Sequence, residues 1–290
     1  MRIRLIPGSK ILLLLLVMAV ALVGCSRINL AYRNLDLLIA WSLDDYLDMN
    51  RSQQTRLREQ LREHIAWHCR TRLPVDLDAL QRMQHQIRQG ALDEQAVREH
   101  YADIKQAVQA VAAEVTPTTV QLLRELDDRQ VRQLTEALAQ DQQEHQEKYL
   151  AVPLSQQIRE RAERMTKRIE QSTGTLNAAQ HQRILAWAHA LGGQNRLWLE
   201  NRQQWQNALI EALTERHEGD FEKRIAHLLQ ARESMGTDAY RTTLARNEGA
   251  TIRLISEVYA LSDANQRKKL DNRLQRLRKD LGSLDCLPEA

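Results

Sequence analysis

The chain has 290 residues, with 41 Lys+Arg against 38 Asp+Glu and a pI near 8.8. Arg2, Arg4 and Lys10 account for the basic excess. Without residues 1–24 the balance is 38 basic against 38 acidic side chains, which leaves no cationic footprint for nucleic acid or anionic lipid. Arg, Gln, Glu, Leu and Ala dominate, with one Phe, ten Gly and five Pro, a helix-forming composition that points to an all-α fold.

Residues 1–10 are basic without a single acid, and Ile11 to Val23 is a run of thirteen uncharged, mostly apolar residues. At about 1.5 Å per residue such a run spans ~20 Å, short of a ~30 Å hydrocarbon core, so it predicts an export signal rather than a permanent spanning helix. It ends in Leu22-Val23-Gly24-Cys25, which resembles the lipobox of bacterial lipoproteins. The resemblance implies that Leu22, Val23 and Gly24 are recognition positions and that cleavage leaves Cys25 as the first residue. Cys25 would then be triacylated, palmitate included. One acyl chain anchors marginally and two or more anchor stably. An ordinary secretory signal beside a chance cysteine is the other reading. Ser26 stands where enterobacterial sorting rules put an aspartate for inner-membrane retention, which favours the outer membrane with the body facing the periplasm.

No Ser/Gly-rich tether follows Cys25. A first helix over about Asn34–Asp48 is apolar on more than one face, so it is either buried or set at the lipid headgroups. Its carboxylates Asp36, Asp44, Asp45 and Asp48 favour burial. Helical spacing continues through Arg51–Arg72 and is expected to stop before Pro74. Further helices are expected over about Leu77–Gln89, Asp93–Val115, Thr118–Glu125, Arg129–Tyr149, Ser155–Ser172 and Ala178–Leu191. Arg196–Glu215, Asp220–Ser234, Asp238–Leu261 and Ala264–Leu281 complete the series, and no alternating run marks a strand. The charge-dense stretches Arg159–Arg168 and Arg267–Lys279 fit solvated faces of amphipathic helices. The expectation is one all-α domain over residues 25–290, a bundle of about ten helices behind a signal peptide over residues 1–24.

One local pattern recurs: an apolar residue, a cap residue, two spacers, an amide. It stands at Met49–Gln53, Leu126–Gln130, Leu176–Gln180 and Leu261–Asn265, with Leu92-Asp93-Glu94-Gln95 one residue short. This is the chemistry of a capping box, in which a short polar side chain and a reaching amide satisfy backbone N–H groups at a helix start. The unequal intervals argue against a solenoid. The pattern also resembles the Leu-Thr-x-x-Gln signature of small periplasmic stress chaperones.

Chemistry-bearing sets are sparse. With Cys25 lipidated, Cys69 and Cys286 remain, and in an oxidising compartment they either pair or stay as two separate thiols. His64 and His68 are four apart, a spacing that suits zinc or copper, although Cys69 diverges by about 100° from its neighbour. Partial burial beside Trp67 is the simpler reading. Asp44-Asp45 diverge on a helix and suit capping rather than shared-proton catalysis. Trp187, Trp198 and Trp205 fall at helical multiples that could stack in one seam, as core or as a sugar- or peptide-binding groove. There is no Glu-x-x-His, Gly-rich phosphate loop, Gly-x-Ser-x-Gly or Cys-x-x-Cys.

Leu30-Ala31-Tyr32-Arg33-Asn34, Asp44-Asp45-Tyr46-Leu47, Trp67-His68-Cys69-Arg70 and Leu73-Pro74, taken with the lipobox, are similar to a group of proteobacterial lipoproteins known as a domain of unknown function. The similarity continues through Asn177 to Trp187, Trp198 and Trp205. It implies an all-α lipoprotein and brings no activity. An arginine is common in that group where this chain has Cys69, so a disulfide there is not a family trait. The functional expectation is a non-enzymatic envelope interaction, scaffold or assembly protein without a cofactor other than its covalent lipid. It would be bound to the membrane through its anchor and to envelope proteins through its helices, with no nucleic-acid partner. A chaperone-like stress sensor is the alternative, and a metal-binding or enzymatic helical bundle the second.

Overall fold

A computed structural model describes residues 25–284, with side chains from Asn29 onward. Helices α1 (Cys25–Arg33), α2 (Leu35–Leu47) and α3 (Arg51–Trp67) lead through a π-helical turn, His68–Arg72, into α4 (Leu73–Gln89). Then come α5 (Glu94–Arg124), α6 (Asp128–Leu150), α7 (Leu154–Thr173), α8 (Ala178–Ala190) and α9 (Gln194–Thr214). The last three are α10 (Phe221–Gln230), α11 (Asp238–Ala260) and α12 (Ala264–Gly282). The fold is an all-α multi-helix bundle. Among the described residues there is no strand, and no helix is long and apolar enough to cross a membrane.

Two expected breaks are absent. The helix over residues 51–72 does not stop before Pro74. Proline lacks an N–H and its ring crowds the carbonyl four residues back, so the chain widens instead. The Leu73 N–H reaches back to the His68 carbonyl, and Pro74 takes its place in the first turn of α4. Pro117 likewise lies inside α5 rather than ending it. Its neighbours Thr116 and Thr119 add hydroxyl bonds to the carbonyls of Ala112 (2.6 Å) and Val115 (2.9 Å). Burial of Val120, Leu122 and Leu123 in the largest core cluster then holds the last turns. The tenth helix is shorter than its sequence pattern, because Ala231 leaves helical geometry.

At 31 residues α5 is about 46 Å long and runs between two parts of the core. Its start packs Ala96 and Val97 with Ile87, Ile252 and Tyr259 from α4 and α11. Its end joins Leu57, Leu61, Leu134, Leu213 and Phe221 from α3, α6, α9 and α10. A third cluster places Leu176 and Ile184 against Leu254 and Val258. A fourth is small: Cys69, Leu73 and Leu284, with Tyr32, Leu77 and Leu281 around it.

Four full capping boxes begin α3, α6, α8 and α12, through Asn50/Gln53, Asp127/Gln130, Asn177/Gln180 and Asp263/Gln266. The fourth sits one residue later than its sequence pattern: Asp263 caps and Gln266 reaches back, not Ser262 and Asn265. Asp93 caps α5 through the Ala96 N–H without a reciprocal amide, as its shorter pattern requires. Each cap is worth about 1 kcal/mol.

The amides also pair across helices. Gln130 Nε2 donates to Gln53 Oε1 at 2.9 Å and Gln53 Nε2 donates back at 3.3 Å. Gln180 and Gln266 exchange bonds of 3.1 and 3.0 Å in the same way. Each amide also donates to a carbonyl on the chain entering its partner's box: Glu125 for Gln53, Leu47 for Gln130, Val258 for Gln180 and Thr175 for Gln266. All four side chains are buried, and the exchange satisfies them (two amide clasps, one in each part of the bundle).

Candidate functional site

Two of the concave surfaces that gather polar side chains involve residues singled out in the sequence. The first lies beside the start of the described chain. Tyr32 on α1 reaches α3, with its hydroxyl 3.1 Å from His68 Nδ1 and donating to the Ile65 carbonyl at 3.3 Å. Asp36 on α2 points inward and is almost fully buried, 3.0 Å from Arg62 Nε and 3.5 Å from Arg58. Tyr32, Asp36, Arg62 and Ile65 line a concavity of about 290 Å³ together with Leu284. The same helices expose Leu30, Leu37 and Trp41. The early helix is therefore packed on the body, yet its buried side includes a carboxylate. Two arginines from α3 make that burial possible where an unpaired carboxylate would be expelled. Asp44 accepts the Met49 N–H at 2.9 Å and Gln54 Nε2 at 3.0 Å, a capping role at the end of α2.

Cys69 in the π turn is completely buried against Leu73 and Leu284 and is disulfide-bonded. Cys286 lies outside the described residues, as do Leu22, Val23, Gly24 and the side chain of Cys25.

His64 and His68 do not converge. His64 places Nδ1 3.0 Å from Glu114 and Nε2 2.7 Å from Thr118, both on α5. His68 turns the other way, to Tyr32 and toward Asp76 at 3.8 Å. Burial holds the His68 pKa below the ordinary histidine range, with Asp76 opposing and Arg72 adding to the shift. Among the described residues no group of three His, Cys, Asp or Glu side chains is placed to hold a metal.

The second region flanks α9. The three tryptophans do not share a seam. Trp187 packs in the third cluster and donates to Thr251 Oγ1 at 3.1 Å. Trp205 donates to the Leu228 carbonyl at 2.9 Å, with the Arg232 guanidinium 5.5 Å from its ring. Trp198 stands edge-on to His145 and Tyr149 of α6, at 5.7 and 5.6 Å. Beyond it, Trp198 lines two adjoining concavities of about 290 and 260 Å³ between α9 and α11, which share Trp198, Tyr240 and Leu244. Nothing in the sequence marks Tyr240, because a tyrosine in the first turn of a polar helix has no pattern of its own. The pairing of the box glutamines is equally silent there: the boxes are legible, their partners are not.

A family of unknown function (DUF6279) has a sequence model that matches residues 45–241. No curated protein and no solved structure matches the chain.

Proposed function

The chain belongs to this family of unknown function, and from that premise we propose a non-enzymatic interaction or scaffold protein, lipid-anchored in the outer membrane with its body in the periplasm. The observation that carries the reading is that the chain is already helical at Cys25, the residue that follows Leu22-Val23-Gly24 in the sequence, and runs on as helix to Arg33. A lipidated Cys25 would thus join the bundle with no tether, and the body would stand at the bilayer surface. Three acyl chains give a stable anchor, at about 0.8 kcal/mol per buried methylene. Cys286 is the partner proposed for Cys69, since Cys25 carries lipid in this reading and Leu284 already packs on Cys69.

The non-enzymatic part rests on where buried polar groups are spent. The four box glutamines clasp helices, Arg161 binds the carbonyls of Ala188 and Gly192, and Arg216 binds those of Leu126 and Leu213. Mixed-charge helix faces are left for protein partners, and the 38-to-38 balance argues against nucleic acid. The test is metabolic palmitate labelling with membrane fractionation. Wild-type protein should label and sediment with outer membranes, and Cys25→Ala should do neither. A Cys25→Ala protein that still labels and sediments overturns the proposal.

One observation favours a second reading, a chaperone-like sensor. Ile104, Val108 and Val111 form an exposed apolar stripe on one face of α5, 58%, 63% and 38% accessible. That reading expects the protein to suppress aggregation of an unfolding client, and Val108→Asp to abolish the effect. Equal suppression by wild type and Val108→Asp removes it.

A further inference from the structure

We infer that the groove between α9 and α11 is a binding site for an extended, β-linked glycan. Its two concavities adjoin, sharing Trp198, Tyr240 and Leu244, as neighbouring subsites would, and their volumes together lie in the ordinary range for ligand sites.

The wall is aromatic and held rigidly. Trp198 is braced by T-shaped ring contacts with His145 and Tyr149. Tyr240 lies against Gly236 so closely that a Cβ there would come within 2.3 Å of its Cδ1 and 2.7 Å of Asn201 Oδ1. The Tyr240 hydroxyl makes no hydrogen bond among the described residues. An indole and a phenol that line the same groove supply the apolar ring surface on which the C–H face of a pyranose packs, with polar groups beside them.

The polar groups opposite are suited to hydroxyls. Asn247 Nδ2 donates to Gln194 Oε1 at 2.6 Å, and Asn247 Oδ1 is buried without a protein partner. The Gln194 amide keeps its N–H donors uncommitted among the described residues. In the other concavity Arg202 binds Asp141 through Nη2, while its buried Nε has no partner. Both of those unpartnered atoms are shielded from solvent, so the polar groups that a sugar hydroxyl meets at the groove surface are the Gln194 amide N–H donors and the Tyr240 hydroxyl, which can both give and take a hydrogen bond.

A peptide fits less well. A peptide that binds as an added strand has no edge to join, since among the described residues there is no strand. A helical peptide needs an apolar trough, and Leu197 and Leu244 are the aliphatic side chains lining the groove.

The experiment is isothermal titration of the full-length protein with chitotetraose, cellotetraose and tetra-alanine. At least one glycan is expected to bind, about tenfold or more weaker in Tyr240→Ala and Trp198→Ala. Since Trp198 also supports α6, Thr243→Trp provides a second variant, which fills the groove without removing a core contact and should block binding while far-UV circular dichroism is unchanged. Failure of both glycans to bind wild type overturns the inference. So does glycan binding that all three variants retain, and so does binding of tetra-alanine alone.

Discussion

The Gln180–Gln266 clasp yields the sharpest energetic expectation. Gln180 Oε1 accepts the Asn177 N–H at 2.9 Å and Gln266 Nε2 at 3.0 Å, while its own Nε2 donates to Val258 O and Gln266 Oε1. Gln180→Leu orphans two donors, the Asn177 N–H and one Gln266 N–H. Gln266→Leu orphans the Asp263 N–H, held at 3.2 Å by Gln266 Oε1, and one Gln180 N–H. An unmet buried glutamine donor costs about 1–3 kcal/mol and a lost part-buried cap bond about 1 kcal/mol, so either single substitution should cost roughly 2–4 kcal/mol. The double variant has no glutamine left to strand, so it loses only the two cap bonds and should cost about 2 kcal/mol, no more than one single. The coupling is therefore roughly 2–6 kcal/mol short of additivity. Gln53→Leu combined with Gln180→Leu shares no partner and should add to within about 0.5 kcal/mol. The assay is urea unfolding followed by circular dichroism and tryptophan emission, with coincident transitions required. A double variant that costs the sum of its singles would falsify the clasp.

Three further outcomes follow from single features. Burial lowers the pKa values of His68, His100 and His145 below the ordinary 6.5, so the unfolded chain binds more protons below that pH. Stability from these groups is complete above about pH 6.5 and falls as pH drops toward their folded pKa values; NMR titration of their ring protons with midpoints at or above 6.5 would contradict this. Gly236→Ala should displace Tyr240 and destabilise the protein by about 1–3 kcal/mol, and an unchanged melting temperature would refute the close approach. Periplasm-derived protein should show no free thiol at Cys69 or Cys286, and Cys286→Ser should lower stability by about 3–5 kcal/mol; thiol labelling of both cysteines without reductant would dispose of the pairing.

Most of the helices are legible in the sequence because each carries its own start and stop. Asn50, Asp127 and Asn177 announce α3, α6 and α8, and Gly90 with φ +72° closes α4 in the left-handed geometry that a glycine adopts without strain. Pro74 and Pro117 mislead for the same reason. A proline's local cost is visible in the sequence, whereas the widened turn and the packing that offset it belong to the tertiary structure. Ser262 and Asp263 are both competent caps, and the choice between them is made by the Gln180 amide 86 residues away, where Gln266 meets it. The candidate sites divide in the same manner. His64 and His68 share a helix face in the sequence, yet α5 and α1 claim one each. The groove is assembled from Trp198 on α9 and Tyr240 on α11, and helix periodicity within either segment says nothing about the other.

The proposal that Cys25 carries lipid is tested most directly by mass spectrometry of the N-terminal proteolytic fragment from protein extracted from native membranes. A fragment that begins at Cys25 and carries the mass of a diacylglyceryl group plus an amide-linked acyl chain is the expected result. A fragment that begins at Met1, or one that begins at Cys25 with an unmodified sulfur, would contradict it.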